Sequence, residues 1–265
     1  MIDRVHRFDV SRTRAFRSVR SLILDALEGT VEASSHIDLR KRTELMLQLE
    51  NEVVALIADS ELGAHGLGAL QFPVNVRMMG PRRADEVVKP FGTEHLHCDL
   101  WSGAPPDSFN FFLYVDVTPS CPQLALFETL PSSHPSASYR GPYADTPLRR
   151  DELVPVELAC FAGHLACFPT LTPHQTIRSS PPEGFRVSVD FRARRESPYA
   201  FEDEDAFSAD KMNSLGVYWS FPPNPFQSLE EKIAHELSKA RAHGERALRA
   251  RMSYLAKHFP EASIG

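Results

Sequence analysis

Two hydrophobic periods divide the chain. Within residues 39–62 the apolar positions Met46, Leu49, Val53 and Leu56 return every three or four residues, which predicts an amphipathic helix with one buried face. A shorter helix is predicted over residues 13–27. From about Phe72 the pattern changes. FPVNVRMM, EHLHCDLW, FNFFLYVDV, LALFETL, LVPVELACF, HLACFPTL and RVSVDFRA are short β-prone runs separated by Gly, Pro, Ser and Asp. Strands at this spacing with no helix between them predict an antiparallel sandwich or barrel. An acidic stretch, FEDEDAFSAD, reads as a loop or lid, its charge concentrated at 202–206. A last helix follows. Ser228 and Glu231 form a capping box at its start, Leu229, Ile233 and Leu237 mark its apolar face, and Gly244 predicts a bend or break. The layout is one domain: helical support over 1–70, a β core over 71–197, then the acidic loop and C-terminal helix over 198–265.

Composition narrows the classes of function. The 265 residues carry a formal net charge of −6, which disfavours nucleic acid or an anionic membrane as main partner, since both call for a basic face. No apolar run approaches the ~18 residues of a membrane span, and MIDRVHRFDVSRTR lacks the apolar region of a signal peptide. Cys98, Cys121, Cys160 and Cys167 form no C-x-x-C pair, so a reduced, cytoplasmic protein is expected.

The chemistry is concentrated in HLHCDLW, residues 95–101. Read as a strand, it turns His95, His97, Asp99 and Trp101 to one face and Leu96, Cys98 and Leu100 to the other. A carboxylate inside a barrel needs compensation, and a divalent metal supplies it. A third ligand is available in FAGHLACFPTLTPHQTIRSSPPEGFRVSVDFR, which reads as strand, turn, strand, loop, strand, with His174 at the end of its second strand. In the last strand Arg186, Ser188, Asp190 and Arg192 share a face opposite Val187, Val189 and Phe191. Arginine and serine two apart form a carboxylate clamp, because a guanidinium grips a carboxylate bidentately and a hydroxyl adds a third bond. Two histidines and one carboxylate with open positions is the ligand set of non-haem Fe(II) oxygenases.

The order H-x-D, then H, then R-x-S resembles the Fe(II)/2-oxoglutarate-dependent dioxygenases, and the phytanoyl-CoA hydroxylase-like branch in particular. LYVDVTPSCPQLALFETLPSSH is similar to that branch's stretch ending in P-G-S-H, here Pro131, Ser132, Ser133 and His134, and AGHLACFPTLTPHQT to its G-D turn before the distal histidine. Ser132 and His164 depart from that pattern, as local turn variation. The similarity spans about Phe72 to Arg195. It implies a double-stranded β-helix, a jelly-roll or cupin-like barrel, mostly β with flanking helices. It implies Fe(II) on His97, Asp99 and His174. Arg186 would hold the far carboxylate of 2-oxoglutarate, helped by Ser188 and Thr176, with Asn110 and Tyr114 as weaker candidates for its other end. O₂ is the second co-substrate, succinate and CO₂ are products, and a small-molecule metabolite is hydroxylated, desaturated or cyclised. Asp99 stands where related halogenases carry Gly or Ala, which favours those outcomes over halogenation.

His95 is a candidate for substrate contact or support of the metal ligands. As a ligand in a cupin-like His-x-His set it would need a nearby glutamate, where Trp101 and Ser102 stand instead. Trp101 either stacks at the pocket mouth or packs in the core, and Cys98 faces away from the metal as a small apolar residue. Arg82, Arg83 and Arg140, in loops at the expected rim, are candidates for an anionic group of the substrate. Arg241, Arg246, Arg249 and Arg251 place either a homodimer contact or a solvated cover on the last helix. Two other readings stay open: a cupin-type metal isomerase or hydrolase that does not use 2-oxoglutarate, and a catalytically silent ligand-binding barrel. The first leaves Arg186 and Ser188 without a role, and the second leaves the triad without one.

Overall fold

The structure, a computed structural model, describes residues 4–27, 42–59, 66–80, 86–129, 139–178, 184–199, 215–221 and 225–260. Along the chain run β1 (His6–Asp9), α1 (Arg14–Leu27), α2 (Thr43–Ala58), β2 (Ala69–Gln71), β3 (Asn75–Met79), β4 (Ser108–Val117), β5 (Gln123–Thr129) and β6 (Leu153–Val156). Then come β7 (His164–Pro169), β8 (His174–Ile177), β9 (Arg186–Arg194), β10 (Tyr218–Ser220), α3 (Leu229–Ala242) and α4 (Glu245–His258). The larger sheet has the order β1-β7-β4-β9-β2-β10, with β3 also paired to β9, and the smaller has the order β6-β5-β8. The strand pairings are antiparallel. This is a mostly β jelly-roll core with flanking helices.

Side-chain alternation gives the larger sheet its two faces. Phe111 and Leu113 of β4, Val187, Val189 and Phe191 of β9, and Leu165 and Cys167 of β7 point outward. There they join Phe16, Val19 and Ile23 of α1 and Leu49, Val53 and Ile57 of α2 in one core. Phe112, Tyr114, Ala166 and Phe168 point inward and meet Leu124 and Leu126 of the smaller sheet. The polar face of β9 therefore lies inside the barrel, as its sequence alternation predicts.

The structure corrects several expectations. HLHCDLW is not a strand. LVPVELACF contributes only the four residues of β6, an edge strand, where Pro155 is tolerated because a missing N–H disrupts only one side of a ladder. His174 opens β8 rather than ending a strand. Strands β1, β2 and β10 were not predicted; HRFD, ALQ and YWS are too short to show a period. The final helix is broken, as Gly244 suggested: with φ at +111° that residue separates α3 from α4. Ser228 caps α3 by accepting from Glu231 N–H (3.1 Å), while the Glu231 carboxylate accepts from Gln227 N–H (2.7 Å).

The C-terminal helices are fastened to the barrel by buried polar groups. Lys232 of α3 pairs with Glu50 of α2 at 2.8 Å, both fully buried, and its ammonium lies about 5 Å from the rings of Phe72, Trp219 and Phe226. Arg251 of α4 is buried too, donating to the carbonyls of Gly216 (2.9 Å) and Tyr218 (2.6 Å), so it is neither a solvated cover nor a free contact for a second copy. Arg241, Arg246 and Arg249 are exposed. The acidic run, Arg82, Arg83 and the stretch from Pro131 to His134 lie outside the described residues. Among the described residues no helix is long and apolar enough to cross a membrane.

Candidate metal centre

The segment carrying HLHCDLW is extended only up to Cys98. His97 makes an isolated antiparallel bridge to His174, each N–H donating to the other's carbonyl at 2.9 and 2.8 Å. The chain then turns through a short 3-10 helix, Asp99–Ser102, closed by Gly103 in the left-handed region. Ser102 stabilises the turn by donating to the Asp99 carbonyl (2.8 Å). Strict alternation is therefore lost. Trp101 and Cys98, expected on opposite faces, share one buried cluster with Tyr143. Cys98 donates to the Leu171 carbonyl, and burial pushes its thiol far up, which makes it inert.

The turn brings Asp99 to the paired histidines. One donor atom from each of His97, Asp99 and His174 lies within 4.8 Å of the others, and all three residues are buried. Nδ1 of His97 donates to the His95 carbonyl (2.8 Å) and Nδ1 of His174 to the Thr172 carbonyl (2.9 Å). A carbonyl can only accept, so each Nδ1 carries a proton, and Nε2 is the nitrogen each ring turns toward Asp99. Both Nε2 atoms stand 3.8 Å from Asp99 Oδ1. Burial, then the neighbouring His174, lowers the His97 pKa to about 3, so the ring is neutral. For Asp99, burial acts to raise the pKa, but Arg192 and the two histidines outweigh it and keep the carboxyl ionised. Two imidazoles and a carboxylate converging on one point form a donor set for a divalent metal.

A cavity of about 50 Å³ adjoins the triad, with Asn110, Thr176, Arg186 and Arg192 in its walls. Arg186 donates to the Pro122 carbonyl (3.0 Å) and to Met79 sulfur (2.8 Å), yet its Nε has no partner and the side chain is 1% exposed. No carboxylate among the described residues pairs with it. Burial consequently lowers its pKa. Ser188 Oγ and Asn110 Nδ2 are likewise buried without partners. Ser188 lies off the cavity wall, but the orphaned donors of Arg186 and Asn110 face the same cavity as the triad and fit an acceptor-rich carboxylate or keto group, because leaving such groups unpaired is costly.

The remaining predicted residues fall elsewhere. Tyr114 is a core residue whose hydroxyl accepts from Leu124 N–H (3.0 Å), outside the cavity wall. His95 is half-buried and absent from that wall, with Nε2 unpartnered. Arg140 is exposed and donates to the Tyr139 carbonyl. His164 is buried at the start of β7, with its ring on the Ala159 carbonyl and stacked near Tyr114.

Two residues escaped the sequence reading. Arg77, in β3, walls the cavity and grips Asp190 with bonds of 2.5 and 3.0 Å. The signal was present, since in NVRMM alternation sets Asn75, Arg77 and Met79 on one face. Tyr143 stacks on His97, with centroids 4.3 Å apart and planes 14° apart; it opens a three-residue 3-10 helix, Tyr143–Asp145, too short to show a period. Both also line an open cleft of about 2000 Å³ that shares His97, Asp99 and Arg192 with the inner cavity.

No family model matches the chain, and no curated protein sequence matches it. Solved structures do resemble it. The epimerase SnoN, in complex with Fe3+, alpha ketoglutarate and nogalamycin RO, superposes over 86% of this chain and 93% of its own at 16% identity and a TM-score of 0.50. AviO1 from Streptomyces viridochromogenes Tue57 matches over 74% of this chain and 92% of its own, with 14% identity and a TM-score of 0.46. The alpha ketoglutarate dependent carbocyclase SnoK matches over 73% and 80%, with 10% identity and a TM-score of 0.42. At such identities the SnoN likeness is one of fold: the chain shares the jelly-roll fold of a non-haem iron enzyme.

Proposed function

We propose that this chain is a non-haem Fe(II)- and 2-oxoglutarate-dependent oxygenase of the phytanoyl-CoA hydroxylase-like branch, acting as a single catalytic domain on a small-molecule metabolite. The observation that carries this reading is the meeting, in one cavity, of the His97–Asp99–His174 triad with the orphaned donors of Arg186 and Asn110. A metal site alone would suit a cupin-type isomerase, but such an enzyme has no use for an unpaired buried arginine beside the metal. The fold shared with SnoN, whose structure holds Fe3+ and alpha ketoglutarate, supports the same reading.

His97, Asp99 and His174 would hold the iron, and Arg186 with Ser188 would grip the far carboxylate of 2-oxoglutarate. Iron in this setting supplies the activation of O₂, coupled to decarboxylation of 2-oxoglutarate to succinate and CO₂. The chain's own contribution is positional. The two carbonyl-held imidazoles present lone pairs, the arginine fixes the co-substrate's orientation, and the cleft admits the substrate from the side of Tyr143 and Arg77. Because Asp99 fills the third ligand position, hydroxylation, desaturation or ring formation is favoured over halogenation.

Anaerobic addition of Fe(II) and 2-oxoglutarate tests this directly. A visible metal-to-ligand charge-transfer band is expected, and it should vanish in Asp99→Ala and His174→Ala. Metal binding without a band would instead favour the cupin-type enzyme, and binding of neither would leave only a shared fold.

A further inference from the structure

We propose that Arg192 is the positioning residue of this centre, restricting Asp99 to one ligating oxygen and turning the Asn110 amide so that its NH₂ serves the co-substrate. The proposal rests on the reading of the triad as an iron site.

Arg192 sits on β9, 9% exposed and directly opposite Asn110 of β4 in the strand register. Its guanidinium reaches three different elements. Nη2 and Nε both donate to Asp99 Oδ2, at 2.8 and 3.2 Å, and Nε is shared with Asn110 Oδ1 at 3.0 Å. Gln71 Oε1 lies 3.5 Å from Nη1 and steadies the far side.

The first consequence concerns Asp99. Both bonds fall on the same oxygen, so the carboxylate cannot rotate without breaking a charge-assisted pair. Only Oδ1 is left facing the two Nε2 atoms, each 3.8 Å away. A carboxylate free to turn can chelate through both oxygens and take a fourth position of a six-coordinate metal. Arg192 forbids this, which keeps three positions open for a chelating co-substrate and O₂.

The second consequence concerns Asn110. Amide oxygen and nitrogen have similar shapes, and hydrogen bonding decides which is which. Arginine only donates, so the atom facing it must be the oxygen. Nδ2 is then turned away, and it is a buried donor with no partner in a side chain that walls the cavity. It awaits an acceptor near the triad. Lysine could not replace this arginine, because a single ammonium is a point charge where the planar fork spans two acceptors.

The full-length protein would be titrated anaerobically with Fe(II) and then 2-oxoglutarate, as wild type, Arg192→Lys and Asn110→Leu, with circular dichroism to verify folding. Arg192→Lys should bind Fe(II) about 10- to 100-fold more weakly, in the range typical for losing a partner of a metal ligand, and shift or lose the charge-transfer band. Asn110→Leu should keep the wild-type Fe(II) affinity but bind 2-oxoglutarate more weakly. A folded Arg192→Lys with unchanged Fe(II) affinity and band would overturn the proposal, as would an Asn110→Leu with unchanged 2-oxoglutarate affinity. A wild type that shows no band fails at the iron reading itself, a separate result. A crystal structure with Fe(II) and 2-oxoglutarate decides even where a variant does not fold: Asp99 bound through Oδ1 alone, with Asn110 Nδ2 on the co-substrate, supports it. A bidentate Asp99 or a reversed amide refutes it.

Discussion

At the scale of single residues, the orphaned donors make the sharpest demands. Arg186 touches none of the triad, so Arg186→Met should leave Fe(II) affinity unchanged while 2-oxoglutarate binds more weakly. A hydrogen-bonded charge contributes about 1.5–3 kcal/mol, or roughly 10- to 100-fold, and the 2-oxoglutarate KM measures it. His97 makes a different demand. Its folded pKa of about 3 lies below the ordinary imidazole value of 6.5, so the unfolded chain binds the extra proton first. Its contribution is therefore complete above pH 6.5 and is lost as pH falls toward 3. Thermal midpoints of the metal-free protein should drop between pH 6.5 and 4, and less steeply in His97→Asn.

Elements show where sequence reasoning succeeds and where it stops. The faces of β9 were legible because polar and apolar residues alternate along most of its nine residues, and so were the two long helices, whereas in β4 alternation is clear only up to Asn110 and a bulge follows Tyr114. HLHCDLW misled, because its alternation coincides with a turn whose Ser102 and Gly103 chemistry outweighs four residues of pattern. The placement of the triad survived that error, because the His97–His174 bridge and the turn bring the same three residues together by another route. Arg192 was legible only as an inward residue; its bonds to Asp99 and Asn110 depend on the turn and on the register of β4 against β9, which no local pattern encodes. The cap of α3 was fully local, Ser228 to Glu231. Ser228→Ala should therefore cost about 1 kcal/mol, read as a lowered thermal midpoint, with the Fe(II) titration unaffected.

For the molecule as a whole, the Lys232–Glu50 pair joins α3 to α2 across the aromatic residues Phe72 and Trp219. A lysine in a helix reads from sequence as solvated, so this junction was invisible until the chain was folded. Lys232→Met strands a buried carboxylate and should destabilise by about 3–5 kcal/mol. Adding Glu50→Leu should recover most of that loss, because the cost lies in the unpaired charge rather than in the absence of the pair. A double-mutant cycle by denaturant unfolding measures both. Little or no recovery in the double variant would mean that the aromatic contacts to the ammonium carry the energy instead.

The mutual backbone bridge between His97 and His174 also sets an order of events. During synthesis His97 and Asp99 emerge well before β8, and Arg192 follows later still on β9, so no early intermediate owns more than a fragment of the ligand set. On the proposed iron reading, the ability to capture the metal would therefore switch on late, once distant parts of the chain have been zipped together. Loading with metal would then be a certificate of completed folding, and unfinished chains would be spared from holding a redox-active ion against their own exposed side chains.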